Sequence, residues 1–203
     1  PVDCVKLAKD KILHTKPDLC VSGINHGSNS SINIIYSGTM SAAMEAGIEG
    51  IPAVGFSLLN YAADADFTAA AQYATIIAEQ VLRNGLPADT LLNVNIPFLP
   101  FNEIQGVRIC RQAHAKWEEE YDERLDPHNR PYYWLTGRFV NYDQGEDTDE
   151  WALTHGYVSV VPVQYDLTAH HAMAYFNQKW QLPHTLSPKN IQIDTSDTFN
   201  NLG

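Results

Sequence analysis

The sequence predicts an α/β fold with a mostly parallel sheet, and three observations lead there. Through residue 96, short apolar runs alternate with helix-patterned stretches in the order helix, strand, helix, strand, helix, strand. That alternation implies parallel strands joined by right-handed crossovers. The first apolar run, Leu19-Cys20-Val21, stops abruptly in Ser22-Gly23-Ile24-Asn25-His26-Gly27-Ser28-Asn29, and a helical pattern resumes after Tyr36-Ser37-Gly38-Thr39. A strand, a glycine-bearing loop and a helix start together make an anion site. Helix N-termini carry unpaired N–H groups and a positive dipole end, and glycine lets a ligand approach the backbone. Finally, 203 residues with 44% apolar content suffice for a core, while no apolar run approaches a membrane span.

The elements follow in order. Residues 3–13 read as a helix, with Asp3 as N-cap and Val5, Ala8 and Ile12 at approximate helical spacing. Residues 18–21 read as a buried strand, and 22–37 as loop with a short turn. Residues 38–46 read as a helix closed by Gly47, and 53–58 as the next strand, after Gly50-Ile51-Pro52. Residues 66–82 form an Ala-rich helix, with Asp66 or Thr68 near its cap and Asn84-Gly85 as its stop. Residues 92–96 alternate into Pro97 and read as a strand.

After Pro100 the texture changes. Residues 106–111 and 132–138 are strand-like, and the charged, turn-prone segment 116–130 lies between them. Residues 149–155 form a helical turn, 157–163 a strong strand and 170–180 a helix; a polar, mobile tail follows from Pro183. The expected division is therefore 1–100, an α/β core, and 101–203, a β-rich arm, a returning strand, a helix and the tail.

A formal charge of −11 with 13 Lys and Arg argues against a nucleic-acid polymer as partner, since phosphate contacts along a polymer need clustered basic residues. A small phosphorylated substrate stays open, because a metal ion inverts the local field. Cys4, Cys20 and Cys110 sit in apolar patterns and read as buried reduced thiols, which favours a reducing compartment, the cytoplasm.

An ordered series of motifs resembles the SurE family, the survival-protein-E acid phosphatases that act as 5′/3′-nucleotidases. Ser22-Gly23-Ile24-Asn25 with Gly27 and Asn29 fits the family's S-G-I-N-x-G-x-N loop. Tyr36-Ser37-Gly38-Thr39 with Ala42-Ala43-Met44-Glu45 fits its helix start, and Asn93-Val94-Asn95-Ile96-Pro97 its N-[IV]-N-[IV]-P strand end. Asp126-Pro127 with Tyr132-Tyr133-Trp134 fits the arm. Thr148-Asp149, Gly156-Tyr157-Val158-Ser159-Val160 and Asp166-Leu167-Thr168 fit the C-terminal part. The resemblance runs from Pro1 to residue 175. It implies a Rossmann-like sheet, an arm and helix used in oligomerisation, and a homodimer or homotetramer. It also implies metal-dependent hydrolysis of nucleoside 5′- and 3′-monophosphates, with short polyphosphate as a further substrate.

The family opens with an N-D-D-G strand whose aspartates bind a divalent metal, Mg²⁺ or Mn²⁺. No Asp-Asp pair occurs in this chain. The resemblance thus implies about two βα units, at ~30 residues each, ahead of Pro1, and this chain is expected to be inactive alone. A non-catalytic binding or assembly module with the same fold is the alternative. No residue here is assigned a catalytic role.

Each candidate carries two readings. From the residues alone, Asn25 supports a tight loop; the resemblance makes it a metal ligand, an oxygen donor suited to a hard ion. Asn29, Ser37, Gly38 and Thr39 are phosphate contacts by resemblance; Ser37 or Thr39 is equally a plain N-cap. His170 and His171, adjacent on a helix, cannot share one ligand and read as packing or dimer-interface residues. Asp147 and Asp149 read as part of a capped turn rather than a calcium loop, and Glu118-Glu119-Glu120 as a solvated face. No G-x-S-x-G elbow supports a serine triad, and no G-x-G-x-x-G supports a dinucleotide site.

Overall fold

In the computed structural model, residues 1–180 are described; the expected tail from Pro183 falls outside them. Residues 1–165 form one compact unit, and a second begins at Asp166. The first helix, α1 (Val2–Leu7), continues as a π-helical turn through Ile12. Asp3 does not cap it: Pro1 holds the N-cap position, and Asp3 sits in the first turn, where its charge complements the dipole. There follow β1 (Cys20–His26), a 3-10 turn (Ser31–Tyr36), α2 (Gly38–Ile48), β2 (Ala53–Leu58), α3 (Thr68–Asn84) and β3 (Leu91–Ile96). After them come β4 (Val107–Ile109), the hairpin β5 (Ala115–Leu125) and β6 (Pro131–Asn141), α4 (Asp149–Thr154) and β7 (Val158–Val163). In the second unit lies α5 (His170–Lys179).

The main sheet has the order β1-β2-β3-β7-β4. β1, β2 and β3 run parallel; β7 is antiparallel to β3, and β4 parallel to β7. The mostly parallel α/β expectation holds, with one reversal where β7 returns.

The two faces of this sheet differ in chemistry. On one, Val54, Phe56, Leu58, Val94, Ile96, Val158 and Val160 meet Ala70, Tyr73, Ile77 and Val81 of α3. Those α3 positions recur at helical spacing, which is why an otherwise exposed helix docks there. On the other face Met40, Ala43 and Ala46 of α2 cover Ala53 and Leu91. That face also buries Ser57, Asn93, Asn95 and Ser159. Gly55 lets α2 come close: a Cβ there would lie 2.3 Å from Met40 Sδ.

Several boundaries move. The first strand does not stop at residue 21. It runs through Asn25 to His26, with an irregular register between Ser22 and Asn25. Gly23 permits this, at φ +105° and with its Cα hydrogens facing Phe56 O, where a Cβ would approach to 2.3 Å. α2 passes Gly47 to Ile48, and Gly50, at φ +71°, turns the chain. The helix at 68–84 stops at Gly85, as the Asn84-Gly85 pair predicts, and Asp66 accepts from Thr68 N at 2.8 Å.

The charged, turn-prone segment 116–130 is turn only from residue 126 on; through Leu125 it is β5, paired residue for residue with β6 from Ala115↔Asn141 to Leu125↔Pro131. The charges face solvent on a two-stranded ribbon, so they cost the ladder nothing. The turn is held by Asp126, which accepts from His128 N at 2.7 Å and Arg130 N at 3.0 Å. Of the three thiols expected to be buried, only Cys110 is. Cys4 is exposed on the face of α1 away from the core, Cys20 is half-buried, and all three are free.

Gly55→Ala is expected to lower stability by about 1–3 kcal/mol, because the added methyl overpacks the fully buried Met40. Urea denaturation with an unchanged m-value would register this; unaltered stability would mean that α2 is not seated by that contact.

Candidate functional site

At the carboxyl ends of the parallel strands, one row of polar residues crosses the sheet. Asn25 of β1 pairs in register with Ser57 of β2, Ser57 with Asn95 of β3, and Asn95 with Ser159 of β7. In open α/β sheets this edge is where ligands bind. Asn95 is fully buried, and its Oδ1 accepts from Ser57 Oγ at 2.5 Å and from Asn29 N at 2.8 Å. Its Nδ2 donates to Asn93 Oδ1 at 3.1 Å, and Asn93 Nδ2 donates to Asn29 O at 2.8 Å. Two strand asparagines thus satisfy both backbone groups of one loop residue.

Asn29 in turn holds Asn25. Its Nδ2 donates to Asn25 Oδ1 at 2.9 Å, while Asn25 Nδ2 donates to the carbonyls of His26 (2.8 Å) and Gly27 (3.1 Å). The amide oxygen of Asn25 therefore has a defined direction at the strand end.

The same loop is tied to α4. Ser28 and Ser30 hydroxyls lie 2.5 Å apart, and Ser30 Oγ donates to the Glu150 carboxylate. Asp149, fully buried, accepts from Ser31 N at 2.7 Å, from Ala113 N at 2.9 Å and from Glu150 N at 2.9 Å. These donors stabilise the charged form, yet burial outweighs them and pushes the Asp149 carboxyl above its ordinary value. Burial likewise raises Glu150, against the bond from Ser30.

α2 begins beside this loop. Ser37 is its N-cap, with Oγ accepting from Met40 N at 3.0 Å. Ser37 has φ −81° and ψ 119°, so the chain enters the helix from an extended residue. Gly38 N and Thr39 N have no hydrogen-bond partner among the described residues. Gly38 is exposed and Thr39 half-buried, which leaves these N–H groups open at the positive end of an eleven-residue helix.

Both readings of Ser37 are thus compatible, and capping is the one realised directly. The structure joins Asn25 to Asn29 and places Ser37, Gly38 and Thr39 at the same sheet edge, through a single strand–turn–helix connection. No hydrogen bond links the two groups among the described residues. Asn93, Asn95, Ser57 and Glu150 were not among the candidates, and Asp149 was read only as part of a capped turn. Asn93 and Asn95, two residues apart in an apolar strand, point to one face, and that is a readable signal of a buried polar network. Nothing local in the sequence pairs Asp149 with Ser31.

A divalent cation needs several hard oxygen donors, some of them charged. Asn25 Oδ1 is one neutral donor, and among the described residues no three His, Cys, Asp or Glu side chains cluster to hold a metal. The groups present do not make a complete cation shell.

His170 and His171 are exposed on the second unit, so neither packs in a core there. His170 Nε2 lies 2.8 Å from Asp166 Oδ2. The Asp166 carboxyl is held down at about 2, by Thr168 first and by His170 after it. Asp147 binds Arg111 at 2.8 Å. Among the described residues no helix is long and apolar enough to cross a membrane.

Comparison with known proteins adds lineage to this geometry. The family model described as survival protein SurE matches residues 1–119. A protein of Christiangramia forsetii named 5'-nucleotidase SurE is 68% identical over 171 residues, 84% of this chain and 66% of that protein. One of the same name from Flavobacterium psychrophilum is 64% identical over 182 residues, 90% of this chain and 70% of that protein. The chain thus spans about two thirds of the length of these curated relatives. The crystal structure of a SurE protein from Aquifex aeolicus superposes with a TM-score of 0.76 at 41% identity, covering 88% of this chain and 72% of that one.

Two outcomes follow from the site. Asn95→Ala leaves Asn29 N–H and Ser57 Oγ without their acceptor, at about 1–3 kcal/mol for each buried group left unpaired. Amide exchange at Asn29 should accelerate accordingly; unchanged protection would show that the loop stands without β3. For Glu150 the folded state holds its proton above the ordinary value of 4.5, so this residue's contribution to stability is present at low pH and lost as pH rises through the raised value. Glu150→Gln should therefore gain on the wild type as pH rises above about 4.5 in paired urea titrations. A difference that is flat or falls with pH would refute the burial argument.

Proposed function

The chain belongs to the SurE family, and from that premise we propose that it carries the phosphate-binding part of a metal-dependent phosphomonoesterase acting on nucleoside 5′- and 3′-monophosphates. One observation carries the reading: Gly38 N–H and Thr39 N–H have no hydrogen-bond partner among the described residues and lie at the start of α2, on the same strand-end edge as the ordered Asn25–Asn29 pair. The relatives named 5'-nucleotidase SurE support the substrate class.

In this reading the phosphoryl oxygens dock on the two free N–H groups, and the helix dipole offsets part of their charge. Ser37 keeps its hydroxyl on Met40 N and so fixes the helix start. Asn29 and the edge of Thr39 close the phosphate site. Hydrolysis adds water to the ester phosphorus and releases a nucleoside and inorganic phosphate. Asn25 Oδ1 would supply one donor to a divalent ion, Mg²⁺ or Mn²⁺. The other donors belong to the N-D-D-G region that the resemblance implies.

Residues through 100 supply these contacts. The tip of the β5–β6 hairpin, where Leu125, Tyr133 and Trp134 are exposed, suits contact with another subunit of a homodimer or homotetramer.

The test is release of phosphate from AMP and p-nitrophenyl phosphate with Mn²⁺ or Mg²⁺, by this chain and by a version bearing the N-D-D-G region. The 203-residue chain is expected to show no turnover and the longer version to be active. In the longer version, Asn25→Ala should weaken metal binding about tenfold or more. Gly38→Pro should keep α2, since proline suits the first helical position after an extended residue, yet weaken phosphate binding by removing one N–H. Comparable turnover by the 203-residue chain would overturn the assignment. Binding of AMP without turnover in the longer version would favour the non-catalytic module.

A further inference from the structure

Two serine hydroxyls join the Glu150 carboxyl on α4 to the amide oxygen of Asn95. Ser30 Oγ meets Glu150 Oε1, Ser28 Oγ lies 2.5 Å from Ser30 Oγ, and Ser28 Oγ lies 3.4 Å from Asn95 Oδ1. Ser30 and Asn95 are buried, and Ser28 and Glu150 are half-buried. Hydroxyls in such a row polarise one another, so the direction of one sets the direction of the next.

Each hydroxyl has one proton to give. With Glu150 ionised, Ser30 gives its proton to the carboxylate and Ser28 gives its own to Ser30. Asn95 Oδ1 then receives only Ser57 Oγ and Asn29 N, two donors for two lone pairs. A proton on Glu150 Oε1 turns the row round. Glu150 donates to Ser30, Ser30 to Ser28, and Ser28 turns toward Asn95 Oδ1. The hydroxyls only rotate about their C–O bonds, and the one proton gained comes from water. Asn95 Oδ1 now faces three donors. Ser57 is fixed within β2, whereas Asn29 lies in a loop, so the Asn29 bond is the one that lengthens.

The surroundings leave Glu150 as the group that titrates this row. Beside it on α4 is Asp149, whose oxygens are taken by the N–H groups of Ser31, Ala113 and Glu150. The loop brings hydroxyls, and β3 and β7 bring Asn93, Asn95 and Ser159, all uncharged. On the flanking elements Arg108 lies over the Trp151 ring, Arg111 binds Asp143 and Asp147, Lys116 lies over the Tyr142 ring, and His155 Nδ1 is 2.8 Å from Trp151 O. Burial pushes the Glu150 carboxyl up against the Ser30 bond, and the Asp149 charge adds to it.

We propose that Glu150 is a positioning residue whose proton reverses the Ser30–Ser28 hydroxyl row and so loosens the Asn29 loop from Asn95 on acidification. Because Asn29 also orients Asn25, the same proton governs how firmly the strand-end amide oxygen is held. That consequence for a ligand rests on the reading of Asn25 and Asn29 given above; the row itself is tested on the chain without any ligand.

Side-chain carboxyl ¹³C and amide ¹H–¹⁵N spectra, followed through the titration of Glu150 above its ordinary 4.5, test this. The Asn29 amide should shift with the midpoint of the Glu150 carboxyl, and its protection from exchange should be about tenfold lower on the acid side. Ser28→Ala cuts the row, so Glu150 should still titrate while Asn29 stays flat. Glu150→Gln should flatten Asn29 yet spare the response of Ser31 N–H, which reports on Asp149 at 2.7 Å. An Asn29 amide that ignores Glu150 in the wild type, or still follows pH in either variant, overturns the proposal. If Asn29 follows Glu150 as described while Asn25→Ala leaves metal binding unchanged in the longer version, the row is upheld and the ligand reading of Asn25 falls.

Discussion

The arrangement of the strand-end edge depends on one buried amide. Asn95 sits in a strand whose neighbours are apolar, and a buried polar group is costly unless its partners are in place. Its Oδ1 receives both a strand hydroxyl, Ser57, and a loop backbone N–H, Asn29. Asn93 takes the carbonyl of the same loop residue. A loop fastened at both its N–H and its C=O has little freedom, and Asn25, bonded to Asn29, inherits that rigidity. This explains why one face of the sheet is uniformly apolar under α3 while the other carries asparagine and serine. The polar face is the anchor of the site, and α2 and α4 cover it.

The parallel order, the long helix to Asn84 and the strand Ala53–Leu58 were legible because apolar periodicity and stop residues act locally. The strand end was misjudged. Ser22 to His26 is small and polar, which reads as loop, yet β2 supplies backbone partners through Ser22↔Gly55 and Asn25↔Ser57 and draws it into the sheet. β5 was missed for a related reason. Its charge density contradicts strand propensity, and pairing with an aromatic-rich partner outweighs that preference. Among the site residues, the helix start was readable from Ser37-Gly38-Thr39 alone, whereas the role of Asp149 depends on contacts more than a hundred residues away in sequence.

The electrostatics bear on how a chain of net charge −11 could hold the anion proposed for the start of α2. Several basic side chains are engaged elsewhere: Arg111 is bidentate to Asp143 and also bonds Asp147, Arg138 bonds Glu118, and Arg108 lies over the Trp151 ring. None is hydrogen-bonded to the Asn25–Ser31 loop or to Ser37–Thr39 among the described residues. Among the groups of this chain, the attraction proposed for phosphate then comes from backbone N–H groups and the α2 dipole, which act at short range.

Ser31 links the site to the arm. It sits at φ +50°, its N–H bonded to Asp149, its hydroxyl donating to Ala113 O at 2.8 Å and accepting from Ala115 N at 3.1 Å. Ala115 is the first residue of β5, and Ala113 N is bonded to the other oxygen of Asp149. The base of the hairpin therefore cannot shift without breaking a buried charge-assisted bond or carrying Ser31 along with it. Because Ser31 also opens the 3-10 turn that ends in Tyr36, the same fastening joins that turn to the hairpin. A left-handed conformation at a non-glycine residue carries a cost of order 1 kcal/mol or more, and it persists here because three hydrogen bonds over-determine it. Asp149 is thus better understood as the pin between loop and arm than as a helix-turn residue, which is all its neighbours in sequence suggest.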